Sequence, residues 1–146
     1  MKANESRKIL NAQKKLQKKL IQFVTIMGVE AKNHFVKSFK NQGFEDETVQ
    51  RWEPRRMNDR GRKGNRAILV KSGDLRRSIR VIKKNINSVT LGSDLPYAQI
   101  HNDGLYGRAW GKHRFKMPKR QFVGHSRKLI MKLRGDLDKK VHDTFK

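Results

Sequence analysis

The sequence predicts an α+β protein: a long N-terminal helix, a small antiparallel β-sheet with short helices, and a C-terminal helix packed on it. Three observations lead there. Apolar residues recur at helical spacing near both ends of the chain. The middle carries short strand-like runs punctuated by Asn and Gly. Two helical ends flanking a small antiparallel sheet are the α+β arrangement.

The elements follow in order. From Asn4 to about Gln42, Ile9, Leu16, Leu20, Phe23, Met27, Ala31, Phe35 and Phe39 recur at steps of three, four or seven, with lysines on the other faces. Gly28 interrupts this stripe and predicts a kink or two abutting helices. "NQGF" supplies the stop, with Gly43 as the residue just past the helix end. Residues 44–68 show neither helical nor alternating period and predict an extended basic loop whose entrance is pinned to the core by Trp52. Ser72 before Gly73-Asp74, with Leu75 and Ile79 four apart, predicts a short capped helix. "RVIKKNINSVTLGS" predicts a hairpin turning at Asn85-Ile86-Asn87, with Val81 near Val89 or Leu91. The steps Tyr97-Ile100-His101 predict one or two helical turns ended by Gly104. Residues 105–117 predict a second glycine-broken basic loop. Ile130, Leu133, Leu137, Val141 and Phe145 mark the last helix, within 118–146, with Ser126 as N-cap. The whole of 1–146 is expected to form one domain.

Composition bounds the function. Leu, Ile, Val and Phe make up about a quarter of the chain, enough for a folded protein with a small core. The absence of cysteine excludes disulfides and cysteine-based zinc sites. "MKANESRKIL" lacks the apolar region of a secretory signal, and the run "IQFVTIMGV" is about half of what a membrane helix needs, so a soluble chain is expected. The net charge of +23 favours nonspecific nucleic-acid binding at low salt. The excess is dispersed over residues 1–20, 51–66, 71–85 and 105–128, whereas a dedicated binder concentrates it on one element.

No catalytic constellation emerges. His101, Asp103, His113 and His125 can be written as a metal set, but gaps across a glycine-rich loop do not fix ligands. Hydrolase elbows, phosphate loops and zincin motifs are missing from the sequence. Glu45, Asp46 and Glu47 read as a solvated turn. Tyr106, Trp110 and Phe115, interleaved with Arg108, Lys112 and Arg114, either stack on bases or anchor their loop on the core or on a neighbouring subunit. The reading is of a non-enzyme without cofactor, metal, membrane or small-molecule substrate.

Three elements stand in fixed order: "LVKSGDLRRSI", "VTLGSDLPYAQIHNDG" and "PKRQFVGHS". Together they resemble the bacteriophage virion morphogenesis family, the tail-completion and head–tail joining proteins of tailed phages and prophages. The resemblance falls on Leu69, Ser72, Gly73, Leu75, Ser78 and Ile79, then on Tyr97, Ala98, Ile100, His101 and Gly104, then on Pro118, Arg120, Phe122, Gly124 and Ser126. It implies a structural subunit of a ring at the neck or tail of the virion, assembled in the host cytoplasm against copies of itself and other neck or tail proteins. It also implies that residues 95–104 form an architectural corner. Tyr97 and Ile100 would pack the short helix, and His101 would hold the turn by hydrogen bonding. The high charge and the basic loop 105–117 exceed what the resemblance implies. They make contact with phage DNA the competing reading, through Arg55, Arg56, Arg60, Arg62, Arg108, Trp110, Lys112 and Arg114. Both basic loops are expected to become ordered on assembly.

Overall fold

The computed structural model describes residues 2–55, 67–109 and 113–145. Arg56, Arg60, Arg62, Trp110 and Lys112 lie outside them, as do residues 56–66 of the first basic loop and 110–112 of the second, so the expected ordering of those stretches on assembly falls outside the described residues. The fold is α+β, as expected. Helix α1 (Lys2–Asn41) runs unbroken through Gly28, about 60 Å long at 1.5 Å per residue. Gly28 marks a close approach instead of a kink: a Cβ there would lie 3.1 Å from Cγ2 of both Val81 and Val89. The helix ends on Gln42, which takes the left-handed φ of 52°. Gly43, expected to end the helix, already belongs to a strand.

The single sheet of the prediction is divided into three antiparallel hairpins. The first, β1 (Gly43–Glu45) with β2 (Val49–Arg51), occupies what the sequence presents as loop. Its strands are three residues long, too short for a period to show. A short helix α2 (Asp74–Ser78) precedes β3 (Arg80–Lys84), which pairs with β4 (Val89–Gly92) through Val81↔Leu91, with a bulge at Ile82. Ser72 does not cap α2 in the usual sense. Gly73 holds the N-cap position in a left-handed conformation, while the Ser72 hydroxyl bonds the Asp74 carboxylate. After helix α3 (Ala98–Asp103), Gly104 closes the turn with φ 70°. Strands β5 (Tyr106–Ala109) and β6 (His113–Lys116) then form a hairpin where a loop was expected. Helix α4 (Arg127–Phe145) closes the fold. Ser126 caps it by accepting a bond from the Leu129 amide at 3.3 Å.

The core lies on the second half of α1. Phe35, Phe39, Phe44, Trp52, Leu75, Ile79, Phe122 and Leu129 pack together. Phe39 meets Trp52 edge-on at 5.5 Å, a geometry that aromatic quadrupoles favour, and Phe122 at a 43° tilt at 5.3 Å. Trp52 does pin the start of the basic segment: its indole Nε1 donates to the Gln121 carbonyl at 2.7 Å.

Of the acids at 45–47, expected as a solvated turn, Asp46 and Glu47 do lie in the bend between β1 and β2 with Glu47 exposed, whereas Glu45 is buried, and all three brace α4. Glu45 is buried, ion-paired to Lys128 and to Lys37, and its carbonyl accepts from Ser126 Oγ and from His34 Nε2, both at 2.9 Å. Asp46 accepts from the Arg127 amide at 2.6 Å and Glu47 from the Arg127 guanidinium at 2.9 Å. Carboxylates there also suit the positive end of the α4 dipole. Helix α4 runs antiparallel to α1, with Lys132 paired to Glu30 and Leu137 beside Leu20 and Phe23.

The first half of α1 stands out from this body. Residues 4–18 are all exposed, including Ile9, Leu10 and Leu16. Near its inner end, Leu20, Phe23, Met27, Leu133 and Leu137 line an apolar groove of about 380 Å³, closed at one side by Ile86 of the β3–β4 turn. Among the described residues, no helix is long and apolar enough to cross a membrane.

Candidate functional site

The three sequence elements converge on one cleft of about 330 Å³. Leu69, Ser72, Gly73 and Leu75 form one wall, Tyr97 and His101 of the α3 turn another, and Arg120 the floor, with Arg55 and Lys71 also lining it. The remaining positions hold the walls together. Ser78 Oγ donates to the Leu75 carbonyl at 2.8 Å and shares a 2.6 Å bond with Ser93 Oγ. Ile79, Ala98, Phe122 and Ser126 are buried. The Ile100 carbonyl accepts from the amides of Gly104 and Leu105, both at 3.1 Å. Pro118 and Gly124 are half-buried in the segment that crosses α3.

That crossing depends on two features. At Gly104, with its positive φ, a Cβ would meet the Lys119 backbone at 2.9 Å. Asn102 is the second. Its Oδ1 accepts from the amides of both Phe122 and Val123 at 3.0 Å, in effect capping a segment that has no strand partner. The sequence reading assigns this duty to the His101 side chain. Instead the His101 carbonyl takes the Arg120 amide at 2.8 Å, and its ring Nδ1 is buried with no hydrogen-bond partner. Nor is Tyr97 the packing residue of the turn. It is 39 % exposed, and Ala98 takes the buried place. Nothing local in the sequence announces a contact twenty residues away. The available signal for Asn102 was only an amide, a poor helix former, inside a helix of six residues.

A second clasp fixes the cleft's other edge. The Gln42 carbonyl accepts from the Trp52 amide at 2.9 Å. The Gln42 side chain meets Ile68 as a strand partner would: Oε1 accepts the Ile68 amide at 2.5 Å and Nε2 donates to its carbonyl at 3.3 Å. Arg55 donates to the Ala67 carbonyl at 3.0 Å. Leu69 follows with φ 60°, a left-handed conformation that costs a leucine about 1–2 kcal/mol and that the clasp and the packing of Leu69 on the core hold in place.

The electrostatics of the cleft are one-sided. Arg120 is buried, and its Nε and Nη2 donate to the Glu53 carbonyl at 3.3 and 3.2 Å. Burial lowers its pKa from the usual arginine range. Burial, with Arg120 nearby, also pushes the His101 imidazole below its ordinary value, so the ring is neutral at neutral pH. The one carboxylate among the described lining residues, Asp74, is lowered by bonds from Ser72 and Arg77, the latter at 2.5 Å. Among the described residues, no group of three or more His, Asp or Glu side chains is placed to hold a metal.

Of the cations that the sequence singles out for nucleic-acid contact, Arg55 reaches the cleft among the described residues. Arg108 and Arg114 face each other across the β5–β6 hairpin, with Arg114 5.5 Å from the centre of the Tyr106 ring.

A corner braced by its own backbone bonds, opening on a cation-rich recess, is the geometry that comparison with known proteins has to explain. The chain belongs to the phage virion morphogenesis family, whose model matches residues 3–142. That membership gives it a structural or assembly role in a phage particle. Searches of curated proteins and of solved structures find no match.

Proposed function

We propose that the protein is a non-enzymatic subunit of a ring that completes the phage tail or joins the tail to the head. The observation that carries this is the first half of α1. Fifteen consecutive residues, 4–18, are exposed, and Ile9 and Leu10 among them are 61 % and 50 % exposed. Apolar side chains at helical spacing on a projecting helix lose water only against another subunit. A contact of that kind, between a protruding helix on one copy and a groove on the next, is heterologous and closes into a ring when the rotation permits. In the particle the ring would meet other neck or tail proteins. The test is deletion of the reading frame from the phage that carries it, with particles viewed by electron microscopy. Separate heads and tails, or tails with an unfinished end, are expected. Normally joined, infectious particles overturn the proposal.

A second reading has its own support. Arg108 and Arg114 are directly opposed, an arrangement that destabilises a hairpin unless an anion lies between them, and Tyr106 beside them is 61 % exposed. Contact with phage DNA through this hairpin fits both facts. Affinity for duplex that survives physiological salt, and that falls in Arg108→Gln and Arg114→Gln, supports it. Binding that vanishes at that salt removes it.

A further inference from the structure

The cleft holds a buried cation with no ion-paired carboxylate among the described residues: the Glu53 carboxylate attracts it only from beyond ion-pair distance, and burial outweighs that attraction. Arg120 is 7 % exposed, and its recorded acceptor is the neutral Glu53 carbonyl. Among the described residues, no carboxylate comes within ion-pair distance of it. A buried guanidinium whose desolvation is only partly offset is stabilised by an anion brought against it, so a protein that keeps one facing an open recess gains by filling it with an anion. The neighbours agree. Arg55 and Lys71 add positive charge, and His101 Nδ1 has no partner. Asp74 cannot supply the missing charge, being engaged by Ser72 and Arg77.

We propose that the cleft is a docking pocket for an acidic segment of a partner protein, with a carboxylate on Arg120 and an adjoining apolar side chain on Ile68, Leu69 and Leu75. The occupant is a protein rather than a nucleic acid because of shape. Duplex phosphates are carried on a convex backbone and are met by protruding cations such as Arg108 and Arg114, whereas Arg120 lies at the floor of a recess whose walls are partly aliphatic. It is a different protein rather than a second copy because of charge. The surface a second copy would offer, residues 4–18 of α1, carries five Lys or Arg against Glu5 alone, so this cation-rich recess repels it where it attracts an acidic segment. The bidentate fork of arginine also suits a carboxylate. The inference rests on the cleft alone, and goes beyond the ring reading without depending on it.

The probe is a capped short peptide in which glutamates flank a leucine, set against its glutamine counterpart and a short random DNA duplex, all at physiological salt. The readout is the ring resonances of His101, assigned by substitution, together with the dissociation constant. The acidic peptide is expected to shift His101 saturably and to bind at least about tenfold more tightly than the glutamine peptide. Arg120→Gln is expected to remove that preference. Because Arg120 also supports the Glu53 backbone, the second variant is Lys71→Glu at the exposed rim, which is expected to weaken the acidic peptide about threefold or more while leaving the melting temperature unchanged. Arg114→Gln on the distant hairpin is expected to leave peptide binding as it is. Equal affinity for the two peptides, or peptide binding that leaves His101 unmoved, overturns the proposal. So does a duplex that shifts His101 more tightly than the acidic peptide, which would make the cleft a phosphate site.

Discussion

Asn102 and Ser38 show how single polar groups decide local stability here. Asn102 Oδ1 is the acceptor for two amides of the 118–126 segment. Its removal strands the Phe122 amide in the core, because Phe122 is 2 % exposed. Asn102→Ala is therefore expected to cost about 2 kcal/mol, read as a lowered denaturation midpoint at unchanged m-value. Ser38 is the opposite case. Its hydroxyl is fully buried in α1 and has no hydrogen-bond partner, so it carries a desolvation cost with no return. Ser38→Ala removes that cost and adds helix propensity, and is expected to stabilise by about 1 kcal/mol. A lower midpoint would mean that the hydroxyl has a partner in solution. Neither role was legible in the sequence. Ser38 falls beside the apolar stripe without belonging to it, and the pairing of Asn102 with residues 122–123 exists only once the chain has turned back over α3.

The elements divide sharply by what made them readable. Helices α1 and α4 are long, so their apolar spacing repeats often enough to stand above chance, and hairpin β3–β4 carries its own turn residues. Hairpins β1–β2 and β5–β6 were read as loops because strands of three and four residues, rich in charge, show no alternation. What holds β1–β2 is tertiary: Phe44 in the core and Glu45 between two lysines. Of the cleft, the three sequence elements were visible but not their convergence, and the cation contributed by Arg120 became notable only through its burial. Gly28 was seen but misread, since a helix-weakening residue and a residue that admits a hairpin look the same in sequence. That distinction is measurable. Alanine gains about 1 kcal/mol over glycine in a free helix, yet here its Cβ is crowded by Val81 and Val89. Gly28→Ala alone is expected to destabilise by about 1 kcal/mol. In a Val81→Ala, Val89→Ala background the same change is expected to stabilise, with a coupling of at least about 1 kcal/mol in the thermodynamic cycle. Additive effects would mean that the hairpin moves aside freely.

For the molecule as a whole, two titratable groups, the half-buried His101 and the buried Glu45, push in one direction as pH falls. His101 has a folded pKa below its unfolded value. The unfolded chain therefore binds the extra proton first, and stability present above about pH 6.5 is lost as pH drops. Glu45 is held below the ordinary carboxylate value by the Lys128 hydrogen bond, which outweighs its desolvation. Its contribution is present above about pH 4.5 and is lost as pH falls through the folded pKa. Melting temperature is expected to decline in two stages below neutrality. His101→Asn should abolish the upper stage and Glu45→Gln the lower. A flat profile from about pH 7 to pH 4 contradicts both assignments. Assembly is a separate property of the same molecule. Ile9→Asp and Leu10→Asp alter positions 61 % and 50 % exposed. Both are expected to leave the melting temperature within about 0.5 kcal/mol equivalent of the parent while abolishing complementation of the deleted phage. Full complementation would show that the projecting half of α1 has no partner.

The Gln42 clasp has a practical side. It ties Trp52 to one face of a single residue and Ile68 to the other, so the ends of the intervening stretch stay together whatever its length. Doubling such a span costs only about 0.6 kcal/mol in closure entropy. The clasp's own bonds are made by Gln42, Trp52 and Ile68, so a change of length between Arg55 and Ala67 leaves its partners in place. For the experimenter the same tolerance offers an insertion point: an epitope or a small fluorescent tag grafted there would report the protein's address in the particle while leaving both termini untouched.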